Sequence, residues 1–352
     1  MGSLFEEHDV FRKFVQSCTI DDLLTQAEEG LRDGDLNSGL SDPPTLHRFL
    51  AARNLDLDGA LKQFQEAILF RQKKEIVRLY DIVEVAEFEQ ARQFYPHWTG
   101  RRDKAGRPIC MFDLACLDKT TLANWDKTRN TAGWTSSQPG ENSTPKPDML
   151  QLASVYYDGF TRMVLPLCSM MTDRPDPSKP ITDSIYLVDA SELGLKHAWS
   201  LRYFAQSISW LLSTCYPETI HRIFVCNAPS YFGTIWKYMK SWVDPNTAEK
   251  IVVLTSTEVS PVLAENIQDE NIPTAFGGTF AFKHGTLPNL DESILRQFDW
   301  KLADGFLPPG PIKWTKDEDG QTMAVAVGIE AGSHRMKTIA TLQTVNKVNG
   351  IE

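Results

Sequence analysis

Proton transfer, metal binding and nucleophilic attack fall mainly to histidine and cysteine, and this chain scatters both. Its histidines are His8, His47, His97, His197, His221, His284 and His334, and no set of them has metal-ligand spacing. The cysteines (Cys18, Cys110, Cys116, Cys168, Cys215 and Cys226) include no C-x-x-C pair and lie among apolar neighbours, which reads as buried free thiols of a reducing compartment. There is no G-x-S-x-G elbow, no Walker loop, no G-x-G-x-x-G after a strand and no H-E-x-x-H. The expectation is a protein that is not an enzyme and carries neither metal nor cofactor.

The stretch with the most physical character is Tyr231–Val243, YFGTIWKYMKSWV. Helical spacing puts Phe232, Ile235, Trp236, Met239 and Val243 on one face, widened by Tyr238 and Trp242, and Thr234, Lys237, Lys240 and Ser241 on the other. Aromatics opposite lysines suit an interfacial helix, and an ordinary core-packing helix has the same period. Asp244 and Pro245 would end the helix and serve as a hinge, and Gly233 would loosen its start.

Strands and helices must position that segment. The spacing predicts short helices over 19–95, with Asp58 available to cap the one containing Leu61, Phe64, Ile68 and Leu69. From residue 95 strands alternate with helices: PICMFDL after the turn KAGRP, a helix near 148–171, SIYLVDAS, AWSLRYFAQSISWLLSTC, RIFVCNAP and KIVVLTS. That alternation predicts an α/β fold with βαβ units and a largely parallel sheet. Residues 125–147 are polar and rich in turn formers, and read as an insertion. After PPGP at 308–311, IKWTK, TMAVAVG and MKTIATL predict a small β-hairpin or meander packed on the main body.

Composition bounds the rest. With 352 residues, 42% of them hydrophobic and 23% charged, the chain is globular. A net charge of -10 argues against nucleic acid as the main partner and for docking on membranes by apolar insertion. The acidic start, MGSLFEEHDVFRKF, has no apolar core, so no secretory signal is expected, and Glu6 breaks the myristoylation pattern. No run approaches the roughly 18 apolar residues of a spanning helix.

Four blocks in order resemble the CRAL-TRIO lipid-binding family, in particular the fungal secretory-pathway phosphatidylinositol transfer proteins. They are TLHRFLAARNLDLDGALKQFQEAILFRQ (45–72), DKAGRPICMFDL (103–114), YYDGFTRMVLPLCS (156–169), and the run from IYLVDASELG (185–194) through CYPETIHRIFVCNAP and VDPNTAEKIVVL to ENIPTAFGGTF (270–280). The resemblance implies a helical N-terminal lobe (1–94), a CRAL-TRIO lobe (95–290) with flanking helices around a deep apolar pocket, and a C-terminal β extension (291–352). It makes 231–243 the gating helix, or lid, over one bound lipid. It implies a monomeric, cytoplasmic carrier associated transiently and peripherally with Golgi, endosomal or endoplasmic reticulum membranes. A lid has a physical purpose. Moving roughly 30 acyl methylenes into water costs about 24 kcal/mol gross at ~0.8 kcal/mol each. As a barrier, that allows a spontaneous rate on the order of 10⁻⁵ per second.

By the same resemblance, Arg53, Asp103, Glu218, Thr247 and Lys250 form the site for the phosphatidylinositol headgroup. Arg53 and Lys250 would bind phosphate, while Glu218 and Thr247 hydrogen-bond inositol hydroxyls or orient the cations. Asn54 and Thr219 stand where the family usually has Lys and Arg, which removes two cations. At the family's choline-lipid site Ser184 and Tyr157 match, but Tyr186 replaces a Thr, and Thr99 and Cys110 stand at two tyrosine positions. Tyr186 points the same way as Ser184 because strand side chains alternate. Its ring would fill headgroup space or offer a phenol to another ligand, which leaves a non-transferring binder or sensor of sterol, haem or another hydrophobic ligand as the alternative.

Overall fold

A computed structural model describes residues 2–123 and 147–343, with side chains from residue 8 onward. The expected insertion at 125–147 lies outside the described residues except for Pro147. Six helices build the N-terminal lobe: α1 (Gly2–Ile20), α2 (Leu23–Glu28), α3 (Pro43–Ala51), α4 (Leu57–Lys73), α5 (Ile76–Ile82) and α6 (Val85–Arg92). Asp42 caps α3 by accepting the Thr45 N–H at 3.0 Å, with prolines in the first turn, where the missing N–H costs nothing. The apolar stripes of α3 and α4 meet through Phe49 and Phe64, whose rings contact edge-on at 5.1 Å. Asp58 does not cap α4. The chain turns helical at Leu57, so Asp56 holds the N-cap position and Asp58 lies in the first turn, where its charge favours the helix dipole.

The sheet has the order β1-β2-β3-β4-β5, from β1 (His97–Arg102), β2 (Pro108–Asp113), β3 (Ser184–Asp189), β4 (Ile220–Cys226) and β5 (Ile251–Val253). Only β1 runs antiparallel to its neighbour, as the KAGRP turn dictates; the other pairs are parallel, as crossover helices require. Alternation sorts the side chains onto two faces. Ile109, Met111, Ile185, Leu187, Phe224 and Cys226 pack against Val259 and Leu263 of α13 (Ser256–Asn266). Cys110, Phe112, Tyr186, Val188 and Val225 face the other way, toward α7 (Met149–Gly159) and α10 (Arg202–Cys215). Helix α7 passes through a π-helical turn, Phe160–Val164, into α8 (Leu165–Met170). Pro166 explains the turn, since it lacks the N–H and crowds the carbonyl four residues back.

The C-terminal extension is larger than a hairpin. It forms a four-stranded antiparallel sheet, β6-β9-β8-β7, from β6 (Phe298–Trp300), β7 (Ile312–Lys316), β8 (Thr322–Glu330) and β9 (Ser333–Leu342). Its apolar face does not close on itself. One core cluster runs from Phe14 in α1 through Tyr156 and Tyr186 to Trp314 and Ala340, so the boundaries near 94 and 290 mark changes in element type within one continuous core. Polar ties reinforce the join. The Trp314 indole donates to the Met163 carbonyl at 3.0 Å, and the Tyr80 hydroxyl to that of Ile312 at 2.6 Å.

The rings of His97 and His284 lie 4.5 Å apart, tilted at 53° to one another, where the extension leaves the parallel sheet. His97 Nδ1 lies 3.1 Å from the Tyr95 carbonyl, and Nε2 accepts the Gly285 N–H at 2.9 Å, so the ring is held neutral. Burial, then the charge of Arg92, holds His97 well below the usual imidazole range; burial also lowers His284, with Asp113 acting in the opposite direction. The folded-state pKa values therefore lie below the unfolded ones. Above about pH 7 neither state is protonated at these rings, and as pH falls through about 6.5 the unfolded chain takes up protons that the folded one refuses. Thermal melts are expected to show stability falling between pH 7 and pH 5, with a smaller slope in His97→Gln.

Candidate functional site

Four of the five residues expected to bind the headgroup meet in one polar cleft of about 110 Å³: Arg53, Glu218, Thr247 and Lys250. They come from three places. Arg53 follows the end of α3, where Asn54 and Leu55 take left-handed φ values of 50° and 66° and turn the chain toward α4. Glu218 sits in the tight connection from α10 to β4, itself left-handed at φ 55°. Thr247 and Lys250 belong to α12 (Pro245–Glu249) and its C-cap. Asp244 starts that helix by accepting the N–H groups of Asn246 and Thr247 at 3.0 and 3.2 Å.

Lys250 Nζ and Glu218 Oε2 are 2.7 Å apart, and both side chains are partly exposed. A pair this wet adds little stability. What it provides is a cation held in place at the wall of the cleft. Arg53 is exposed and makes no ion pair among the described residues, so it is the second cation free to meet a phosphate. Thr219 supplies no charge here. Its hydroxyl donates to the Tyr216 carbonyl at 2.9 Å, which folds the side chain into the turn.

Asp103 is placed differently from its expected role, because it does not line this cleft. Its carboxylate accepts the N–H groups of Ala105 and Arg107 at 2.9 and 2.7 Å and holds the β1–β2 turn. Burial raises its pKa, and the hydrogen bonds from Arg107 and Ala105 act against that rise. The same spacing that resembles a ligand motif is also that of an Asx-type turn, and the turn takes the carboxylate. Sequence reasoning missed Gln63, Ser213 and Thr214 as cleft walls; the Ser-Thr pair preceding CYPE was the available signal. An adjoining cleft of about 320 Å³ shares Glu218, Asn246 and Lys250 and adds His221 and Arg222.

The segment expected to form the lid is helical, though shorter than its pattern. Helix α11 (Phe232–Met239) is followed by a 3₁₀ turn, Lys240–Trp242, and Gly233 lies inside the first helical turn. Phe232, Ile235 and Trp242 are buried, Trp236, Met239 and Val243 are half-buried, and Tyr238 lies on the outer face with Lys237. The Asp244 N–H donates to Ser209 Oγ at 2.8 Å, tying the hinge to α10.

Beneath the lid the interior is closed. Tyr157 and Tyr186 are 2% and 3% exposed, and Cys110 and Ser184 are fully buried. A void large enough for acyl chains would appear as exposure on those walls. Tyrosines fill the space instead: Tyr157 contacts Tyr95, Tyr156 and Tyr216 with ring centroids 5.3–5.7 Å apart. Ser184 and Tyr186 do share a face, but Ser184 Oγ donates to the Thr219 carbonyl at 2.9 Å. The deep pocket expected from sequence is thus shut in this conformation. Tyr186 is buried in this packing, and burial, with Cys110 acting the same way, pushes its phenol pKa up. An apolar recess of about 80 Å³ lies elsewhere, between Phe88, Tyr156, Phe160 and Leu307; it is smaller than the ~150 Å³ that accommodates benzene.

The molecule thus has a mostly parallel sheet, a short aromatic helix packed over it and a polar cleft with two cations beside that helix. The chain belongs to the CRAL/TRIO domain family, whose model matches residues 93–278. It is 26% identical over 237 residues to the SEC14 cytosolic factor of Candida glabrata, covering 67% of this chain and 70% of that protein. It is 27% identical over 249 residues to the phosphatidylinositol/phosphatidylcholine transfer protein SFH11 of Arabidopsis thaliana, covering 70% and 60% respectively. The crystal structure of Sfh5 superposes with a TM-score of 0.52 at 13% identity, over 82% of this chain and 94% of that one, which shows a shared fold.

Proposed function

We propose that this chain binds phosphatidylinositol and carries it between cytosolic membrane faces, holding the acyl chains beneath α11 and the headgroup in the Arg53–Lys250 cleft. One observation carries the reading: Arg53, Glu218, Thr247 and Lys250, spread over nearly 200 residues of sequence, converge on one polar cleft next to the lid hinge. The names of the similar transfer proteins point to the same lipid. Arg53 and Lys250 would take the phosphodiester, with Glu218 holding Lys250 in place and accepting an inositol hydroxyl. Thr247 would donate to the ring. The lid swings about Asp244, and the aromatic wall it exposes shields the acyl chains from water while the protein is docked, which removes most of the transfer barrier.

Exchange of labelled phosphatidylinositol between vesicles tests this reading. A charge-assisted hydrogen bond contributes about 1.5–3 kcal/mol, so Lys250→Ala is expected to slow transfer by tenfold or more. Glu218→Ala is expected to slow it less. Transfer unchanged in both variants would remove the headgroup assignment. Tyr186 supports a second reading, a non-transferring binder of a sterol or another compact apolar ligand, because its buried ring occupies the face where a Thr is usual. Mass spectrometry of the ligand that copurifies from cells separates the two by showing a phospholipid or none.

A further inference from the structure

Helix α10 continues from α9 (Leu195–Ser200) across Leu201 and ends at Cys215, beside the headgroup cleft. The last carbonyls of a helix have no donor within it. Gln63, a buried residue of α4, supplies one: its Nε2 donates to the Ser213 carbonyl at 2.7 Å, with the Thr214 carbonyl at 3.5 Å. These two acceptors fix the orientation of the amide, because an oxygen turned toward them would meet only other oxygens. Oε1 is left as the other arm. It is buried and accepts no hydrogen bond within the described residues. Gln63 as a whole is 2% exposed, and it lines the cleft with Arg53, Glu218, Thr247 and Lys250.

Nearly all buried polar atoms of a folded protein are paired, so a buried acceptor in the wall of a cleft points to a donor that the ligand brings. Neighbouring groups of the cleft are already engaged. Lys250 donates to Glu218 at 2.7 Å, the Thr219 hydroxyl to the Tyr216 carbonyl at 2.9 Å, and Asp244 accepts the N–H groups of Asn246 and Thr247. A phosphodiester or a quaternary ammonium group carries no donor for Gln63, whereas a polyol ring carries several. The wall thus divides its chemistry between cations that suit phosphate and a neutral acceptor that suits a hydroxyl. A site built to pair a ligand hydroxyl rejects an analogue without one, because its own buried polar group is then left unpaired.

We propose that Gln63 selects the headgroup, its Oε1 accepting from a hydroxyl of a polyol phosphate held by Arg53 and Lys250, so that the cleft takes an inositol lipid over a choline lipid. The lipid as source of that headgroup rests on the carrier reading; the hydroxyl does not. The test loads the protein from vesicles holding equal phosphatidylinositol and phosphatidylcholine, and reads the bound lipid by mass spectrometry. Gln63→Met keeps the reach of the side chain and removes the acceptor, and is expected to lower the ratio of phosphatidylinositol to phosphatidylcholine about tenfold. Gln63→Glu keeps an acceptor oxygen and is expected to lower it by about threefold at most. The ratio separates recognition from structure, since a loosened α4–α10 contact reduces loading of both lipids together. Gln63→Leu takes the place of Gln63→Met if the latter fails to fold. An unchanged ratio in Gln63→Met would overturn the proposal, as would an equal fall in Gln63→Glu. If the wild type loads no phosphatidylinositol, the carrier reading fails, and calorimetry with soluble inositol monophosphate against inorganic phosphate decides the rest. A preference for the former that Gln63→Met removes would sustain the hydroxyl assignment; equal binding, or none, would overturn it.

Discussion

Asp158→Ala is expected to destabilise the fold by about 3–5 kcal/mol, a large share of the 5–15 kcal/mol that holds a typical domain together. Asp158 is fully buried and forms a two-pronged ion pair with Arg71 of α4, itself 3% exposed. Removing the carboxylate strands a guanidinium with no access to water, and that desolvation penalty, not the loss of a bond, sets the magnitude. The Tyr216 hydroxyl lies 2.7 Å from Asp158 and 2.8 Å from the Ser154 carbonyl, so it keeps a partner in the variant. The discriminating measurement is a double-mutant cycle in chemical denaturation. Arg71→Met with Asp158→Leu is expected to recover much of the loss, since a shape-matched apolar pair leaves no charge unpaired. If the cleft binds the headgroup as proposed, the variant also slows phosphatidylinositol transfer, because Tyr216 lies two residues before Glu218 and this network anchors that turn to α4 and α7.

Lys313→Ala is expected to cost a comparable ~3–5 kcal/mol and to lower one cooperative transition instead of releasing the extension separately. Lys313 lies on β7, is 1% exposed, and is 2.6 Å from Asp35 and 2.8 Å from Asp81. Arg32 and Arg162 also reach this cluster, at 2.8 Å from Asp81 and 3.2 Å from Asp35. The two carboxylates come from the N-terminal lobe and Arg162 from the π-turn after α7, so one lysine of the extension closes a charge network spanning all three regions. Calorimetry decides the point. A second, independent transition in the variant would show that the β extension folds apart from the rest.

The extension's strands were legible from sequence, as IKWTK alternates with period two and TMAVAVG is a short apolar run bounded by turn formers. Its fusion with the N-terminal lobe was not, because nothing local to Lys313 indicates that Asp35 and Asp81 will surround it. Four of the five residues that the family resemblance singled out, Arg53, Glu218, Thr247 and Lys250, do share one cleft, because the matching blocks carry the turns that present these side chains as well as their types. Asp103 misled because a carboxylate before a tight turn reads the same whether it serves a ligand or its own backbone. The lid's buried face followed from helical spacing, and only the position of Tyr238 differed.

By itself the sequence determined the periodicities: which segments are helix or strand, which face of each is apolar, and therefore the α/β layering and the lid. Those are local properties, set by rotations of about 100° or 180° per residue. Tertiary structure alone decided what each face meets. It closed the interior with Tyr95, Tyr157 and Tyr186 and joined the extension to the core. The physical reason is that apolar periodicity reports a demand for burial, whereas satisfying that demand depends on groups distant in sequence.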